Sequence, residues 1–588
     1  MFRRKKQSPR RTTFRGPEQL VRVGCPAHDC GGRCVLVAHI QDGVITRLDA
    51  DDRPDNPAWP QLRACTRGRA YLRRQYHPER LLYPLKRTGL RGEGKFARIS
   101  WDEALDTIAS QILRVKEKYG NSALFIPQGT GNQSQVNATQ LARRMLNLCG
   151  GSLQYHGTYS CSAANAATFN IYGTLESGNQ RQDWLNAKYI LMWGWNPAEM
   201  RDGTNSDYYL KQARNNGARI VCIDPRHSFS AACLADEWIP IRPGTDAAFL
   251  SAMAYVILSE QRYDVDFVRT RCVGFDTAQM PLGLEDQESY SDYILGTRDG
   301  IPKTPKWAEK ITQVPAGTIA RIAREYAGIK PGMLYQGWGL QRRAYGETAI
   351  FAGCALAAIT GNVGIPGGWA GGRGDIPENQ GPTWSVLPIG DNAIDVYIPV
   401  FSWTEAVVRG TEMTAEKDGI IGADRLDNNI KLIMGVATNI LINQHGDINR
   451  TARILKDESL VEFISIQDNF LTASARFADI VLPVCTQFET WGLNDGWKYG
   501  DEIILLPKLV EPPGECKSDY EICAGLADRA QRRKCARQCL LDCVAKAGTS
   551  QAVKHRPDPG LGGRAGDAFA VHSFLHGWFY QEGADPVR

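Results

Sequence analysis

The stretch VLVAHIQDGVITRLDA (35–50) alternates apolar and polar residues around Asp42-Gly43, which predicts a β-hairpin. The pattern then switches to helical spacing in ISWDEALDTIASQILRVKEKYG. Ser100 stands there as N-cap, Glu103 is placed to complete a capping box, and Gly120 is the stop. Beyond it come short apolar runs: ALFIPQGTGN, YILMWGWNPAE, ARIVCIDPR, GMLYQGWGL, NIKLIMGVATN and EFISIQDNF, each running into Gly, Asn or Asp. Helical patterns such as TQLARRMLNLCG, SDYYLKQARNNG and DAAFLSAMAYVILSEQ separate them. Alternating strands and helices predict an α/β chain with parallel sheets covered on both faces. Six such units over about 400 residues exceed one compact doubly wound domain, so more than one sheet is expected.

In open α/β sheets, ligands bind beyond the carboxyl ends of the strands. No GxGxxG or GxxxxGK[ST] occurs at these ends, so neither a nicotinamide dinucleotide nor a P-loop nucleotide is supported. Several non-identical Gly/Asn/Asp ends suggest a large ligand with more than one phosphate or nucleotide arm. Plain turns are the competing reading.

Composition narrows the class. The chain has 588 residues, 43% apolar and 23% charged, which is ordinary for several globular domains. No apolar run approaches the length of a membrane-spanning helix. The net charge of +5 is local: Arg3, Arg4, Lys5, Lys6, Arg10, Arg11 and Arg15 exceed the whole surplus. The body is near neutral, so nucleic-acid binding has no support beyond a solvated arm. RRTTFR weakly resembles a twin-arginine signal, but no apolar stretch or cleavage site follows, and the expected location is the cytoplasm. Most of the isolated cysteines among the 16 fit buried packing, and a disulfide scaffold is not expected in so large a core.

The stretch CPAHDCGGRC spaces Cys25, Cys30 and Cys34 as C-x4-C-x3-C, and thirty residues separate Cys34 from Cys65 in RACTRGRA. Four thiolates suit zinc or a [4Fe–4S] cube. Three ligands on one loop with a remote fourth favour the cube, and Gly31 and Gly32 allow the tight wrap. His28 is an alternative ligand for the first corner.

These cysteines, with PERLLYPLKRTGLRGEGKFARISWDEA, WGWNPAEMRDG, CIDPRHS, EWIPIRPGTDAAF, YQGWGLQRRAYGE, AAITGNVGIPGG, NILINQHGDINRT and FADIVLPVCTQFE, stand in one order. The set resembles the catalytic subunits of the dimethyl sulfoxide reductase family of molybdopterin oxidoreductases, from about residue 20 to 528. The resemblance implies a multidomain molybdopterin oxidoreductase fold with several parallel α/β sheets. Its parts would be a basic disordered arm (1–19), a small iron–sulfur domain (20–82), a discontinuous cofactor-binding region (83–150 with 331–528), and a Rossmann-like cofactor-binding region (151–330).

The implied cofactors are molybdenum held by two molybdopterin guanine dinucleotides and one [4Fe–4S] cluster on Cys25, Cys30, Cys34 and Cys65. Cofactor contacts carry over to Gly129, Gly131, Asn196, Glu199, Asp224, Gly244, Thr245, Asp246, Gly337, Trp338, Gln341, Asn439 and Asp468. The molybdenum ligand would be Ser160 in YHGTYSCSAAN, with Cys161 the thiolate alternative, and Arg67 would stand between cluster and pterin. Trp338 and Tyr159 are candidates for lining the pocket. The implied reaction moves an oxygen atom off an S-oxide or N-oxide, with electrons arriving through the cluster. Implied partners are the oxide substrate, an iron–sulfur electron-transfer subunit and a membrane anchor subunit. A non-catalytic product, a thiosulfate- or polysulfide-reductase-like member and a non-redox hydratase-like member are the alternatives.

Two departures stand out. The family spaces its opening cysteines C-x3-C-x3-C, one residue shorter. Residues 529–588 carry no family motif where a β-rich C-terminal domain is expected, and a frameshift near 529 would explain that tail. The run CARQCLLDC within it (Cys535, Cys539, Cys543) is a weak metal signal.

Overall fold

The hairpin forms where the alternation puts it. Strands β2 (Val35–Gln41) and β3 (Val44–Ala50) pair antiparallel, with β1 (Gln19–Gly24) on the far side of β2. Asp42 and Gly43 have φ of 51° and 74°, the left-handed pair that a two-residue hairpin turn needs. The computed structural model describes residues 16–530 except 28–29, 31–32, 58, 130–136, 201–202, 374–386, 445 and 496–501. His28, Gly131, the tail from 531 with its CARQCLLDC run and most of the basic arm therefore lie outside the described residues.

The helix Trp101–Tyr119 starts on Ser100, whose Oγ accepts from the Glu103 N–H at 3.1 Å, and stops at Gly120. Only this half of the expected capping box forms. The Glu103 carboxylate turns instead to the Lys86 ammonium at 2.9 Å, a stronger charge-assisted partner than the Ser100 N–H. A complete box closes elsewhere, between Thr486 and Glu489.

All six apolar runs become parallel strands in two sheets. One sheet has the order β10-β9-β8-β11, from β8 (Tyr189–Trp193), β9 (Arg219–Ile223), β10 (Glu237–Ile239) and β11 (Gly332–Gln336). The other has the order β5-β4-β15-β14-β13-β6. Its parallel members are β6 (Leu124–Phe125), β13 (Leu432–Val436), β14 (Phe463–Asp468) and β15 (Ile480–Pro483). On its edge β4 (Leu85–Arg87) and β5 (Phe96–Arg98) run antiparallel. Two small ribbons complete the set: β7 (Gln154–His156) with β12 (Tyr397–Pro399), and β16 (Gly492–Asp495) with β17 (Ile503–Leu506).

Every residue of β8, β11 and β13 is buried, which is why these runs show no alternation. Helices Asp246–Ser259, Ala316–Gly328 and Glu347–Ile359 cover one face of the four-stranded sheet. Helix Ser206–Asn215, with Trp184, Trp195 and Trp369, covers the other. Strand β11 pairs with β8 in the register Gly332↔Tyr189, so this sheet continues past the 330/331 boundary drawn from the sequence. Without β11, buried β8 would be an open edge. Each large apolar side chain that β11 buries there (Met333, Leu334) contributes on the order of 2 kcal/mol. No helix among the described residues is long and apolar enough to cross a membrane.

Candidate functional site

Each parallel sheet has a crevice where strands on opposite sides diverge. In the four-stranded sheet it lies between β8 and β11. Gly194 follows β8 with φ 56°, and Gly337 follows β11, its N–H bonded to Trp193 O at 2.7 Å. A Cβ on Gly337 would run into the Gly194 backbone, so glycine there is first a requirement of strand-end packing. In the six-stranded sheet the crevice lies between β6 and β13. Thr438 Oγ1 donates to Gln128 O at 2.9 Å, and a Cβ on Gly129 would meet Val436 O.

The 158–160 turn sits between the two crevices and is held from both. From the β6 side, Gln128 Oε1 accepts from Tyr159 N and its Nε2 donates to Thr158 Oγ1, both at 3.0 Å. From the β11 side, Gln341 Nε2 and Arg342 Nε donate to Ser160 O at 2.7 and 2.9 Å. Ser160 lines a cavity of about 380 Å³ together with Tyr159, Asn439, Asp468, Arg74 and Gln487. Cys161 is packed in the core at 3% exposure and is absent from that lining.

Asp468 ends β14 at the cavity wall. Burial pushes its carboxyl up to about 6, against the pull of the Asn469 and Phe470 N–H groups and of Arg74, while Asp519 adds to the push. Its Oδ1 accepts from Asn469 N at 2.6 Å and Phe470 N at 3.3 Å. Asn439 Oδ1 accepts from Ser474 N at 2.9 Å.

The other sequence-marked residues gather at the ends of β8, β9 and β10. Asn196 Nδ2 donates to Glu199 Oε2 at 2.9 Å, and Arg226 pairs with Glu199 Oε1 at 2.8 Å. Asp224 accepts from Arg226 N at 2.8 Å, and Asp246 accepts from Trp193 Nε1 at 2.9 Å; burial raises both carboxyls above their ordinary range. Thr245 Oγ1 donates to Arg242 O, Gly244 faces the Arg343 guanidinium, and Arg342 lies 5.0 Å over the Trp338 ring.

The cysteine lobe abuts this same corner. Arg67 donates to Glu199 O at 3.0 Å, and Thr204 accepts from Arg33 N at 2.6 Å beside Cys34 Sγ. Burial, then the nearby Cys34, Cys30 and Cys65, push the Cys25 thiol up. Burial would also raise Cys65, but hydrogen bonds from Gly68 and Arg67 outweigh it and the thiol is lowered. Gly68 leaves room for Cys25 Sγ, which a Cβ there would approach to 2.8 Å. Cys25 thus lies within electrostatic reach of Cys34, Cys30 and Cys65, and the four thiols are a donor set of the chemistry an iron–sulfur cluster takes. Among the described residues, no three His, Cys, Asp or Glu side chains stand in ready metal-binding geometry. None of the 13 described cysteines is in a disulfide.

The sequence pattern missed Gln128, Arg74 and Arg342. Gln128 lies in the strand end PQGTGN and was readable there. Arg74 sits nine residues after Cys65 in an arginine-rich helix, where nothing singles it out from Arg73.

Residues 80–529 match the family model described as molybdopterin oxidoreductase. The chain belongs to the molybdopterin oxidoreductase family. Membership implies a molybdenum–pterin cofactor, and the residues above fit one: the 158–160 turn is held from both strand-end crevices and Ser160 lines a polar cavity with a largely buried carboxylate. Among curated members, the chain is 42% identical over 525 residues to dimethyl sulfoxide reductase DmsA of Escherichia coli K12, covering 87% of this chain and 64% of that one. It is 32% identical over 489 residues to the dimethyl sulfoxide/trimethylamine N-oxide reductase of Cereibacter sphaeroides, covering 77% and 57%. The chain therefore spans less than two thirds of the length of these relatives. Among solved structures, acetylene hydratase from Pelobacter acetylenicus superposes with a TM-score of 0.64 at 24% identity, over 90% of this chain and 72% of that one. That likeness concerns the fold alone.

Proposed function

We propose that the chain is the catalytic part of a molybdenum-dependent oxidoreductase that takes the oxygen atom from an S-oxide or N-oxide. The observation that carries the proposal is the Ser160 turn, fixed from both sheets and open to a cavity with a largely buried carboxylate. Relatives named for dimethyl sulfoxide and trimethylamine N-oxide reduction support the substrate class.

When bound, the molybdenum–bis(molybdopterin guanine dinucleotide) group supplies an acceptor for oxygen and a store for two electrons. Ser160 Oγ is its protein ligand in this proposal, in preference to core-packed Cys161. Asn196, Glu199, Asp224, Gly244, Thr245, Asp246, Gly337, Trp338 and Gln341 hold one dinucleotide arm. Gly129, Asn439 and Asp468 hold the other. With Oδ1 of Asp468 occupied by two N–H groups, a proton on this carboxyl resides on Oδ2, and its position near 6 lets it hold or release that proton around neutrality. Cys25, Cys30, Cys34 and Cys65 hold a [4Fe–4S] cluster, and Arg67 places a positive charge beside it. Electrons come from an iron–sulfur partner subunit with a membrane anchor.

The test is anaerobic purification of the full chain with its metals and pterin quantified. Oxidation of reduced methyl viologen is then followed with dimethyl sulfoxide or trimethylamine N-oxide. Molybdenum, iron and oxide-dependent dye oxidation are expected together. Full molybdenum loading without oxidation by any S- or N-oxide overturns the substrate class. Iron without molybdenum and pterin overturns the cofactor assignment.

A further inference from the structure

A second cavity, of about 550 Å³, shares no lining residue with the one at Ser160. It opens among helices Ser162–Tyr172, Val265–Arg271, Tyr290–Leu295 and Glu347–Ile359. Its walls are the rings of Phe267, Phe275, Tyr172 and Tyr290 and the side chains of Ile171 and Ile359. The Tyr172 hydroxyl is already committed, donating to Ala370 O at 2.5 Å, so this residue offers its ring. The size and apolar lining are those of a small-molecule pocket.

Among the described residues lining this cavity, one is charged. Arg271 ends its helix and is exposed, and among the described residues no carboxylate lies within ion-pair distance of it. Its neighbour Arg269, by contrast, pairs with Asp266 at 3.2 Å. Asn170, Tyr290 and the thiol of half-buried Cys272 supply the remaining polarity. An apolar chamber with a single unpaired cation selects for an apolar molecule with one negative end.

We propose that this cavity binds a medium-chain monocarboxylate, its chain among Phe267, Phe275, Tyr290 and Ile359 and its carboxylate at Arg271. This site is independent of the oxide-reducing assignment and stands or falls without it.

Cys272 in the lining gives a direct readout. On the full chain, iodoacetamide alkylation of Cys272 is followed by peptide mass spectrometry, with exposed Cys233 as the internal control. Decanoate, decanol and decylamine are compared as probes. Decanoate is expected to protect Cys272 saturably and leave Cys233 unchanged, whereas decanol protects more weakly and decylamine not at all. Arg271→Gln, which removes no internal partner, should raise the half-saturating decanoate concentration roughly fivefold. The proposal is overturned if decanoate gives no protection up to its solubility limit. It is equally overturned if decanol or decylamine protects as well as decanoate, or if Arg271→Gln leaves the decanoate dependence unchanged.

Discussion

The parallel strands of the two large sheets end in the same way, running into Gly, Asn or Asp, yet their ends differ in electrostatic state. At the four-stranded sheet the polar groups answer one another: Asn196 with Glu199, Glu199 with Arg226, Asp246 with Trp193. At the six-stranded sheet Asp468 faces a cavity, with the Arg74 cation of the same lining and the Asp519 carboxylate acting on it. Burial raises Asp224 and Asp246 at the closed end too, but Arg226 and Arg343 there pull them back. An open end stores an unfavourable charge that a ligand or a proton can relieve.

The largest expected effect lies behind the open end, where Arg80 and Glu489 pair at 3% and 0% side-chain exposure and Gln75 and Thr486 complete the network. This network ties the cysteine lobe to the cavity wall. Glu489→Ala leaves a buried guanidinium unpaired and should cost about 3–5 kcal/mol in denaturant unfolding. Replacing both partners, as Arg80→Met with Glu489→Leu, should recover much of that loss. Failure of the double variant to recover would mean that the pair specifies the junction rather than merely avoiding a lone charge.

Next comes Asp468→Asn. The folded carboxyl titrates near 6 against an ordinary 3.8, so the native state holds the proton more tightly than the unfolded chain. Its contribution to stability falls as pH rises from about 4 to 6 and stays lost above that. The amide variant lacks this slope and should gain on the order of 2–3 kcal/mol above pH 6. Equal pH dependence of thermal unfolding in both proteins would remove the distinction between the two ends.

Gln341→Ala removes one of two donors to Ser160 O and should cost about 1–2 kcal/mol in unfolding free energy, since the side chain is buried. The smallest effect belongs to the closed end's surface. Arg226→Ala breaks a pair that is 66% and 36% exposed and should change stability by less than about 1 kcal/mol.

Much of this architecture was legible. Periodicity located the hairpin and the parallel strands because burial on one face or two leaves different patterns, as β3 and β8 illustrate. The ordered motifs brought Ser160, Asn439 and Asp468 to one cavity. What the sequence could not carry was partnership across long separations. Glu103 chose Lys86 over its own cap, and β11 joined β8 across 143 positions (332 against 189). Arg74 reached Asn469 from the cysteine lobe at 3.1 Å. Charge state was equally hidden, because Asp224, Asp246 and Asp468 look alike in sequence and differ only in what surrounds them.

The central proposal is that the hydroxyl of Ser160, in the turn held from both crevices, is the protein's ligand to molybdenum. Molybdenum X-ray absorption on the metal-loaded chain tests it most directly. The account predicts an oxygen scatterer that is lost in Ser160→Ala and replaced by sulfur in Ser160→Cys, with Cys161→Ala leaving the spectrum unchanged. A spectrum unaltered in Ser160→Ala but changed in Cys161→Ala would contradict it.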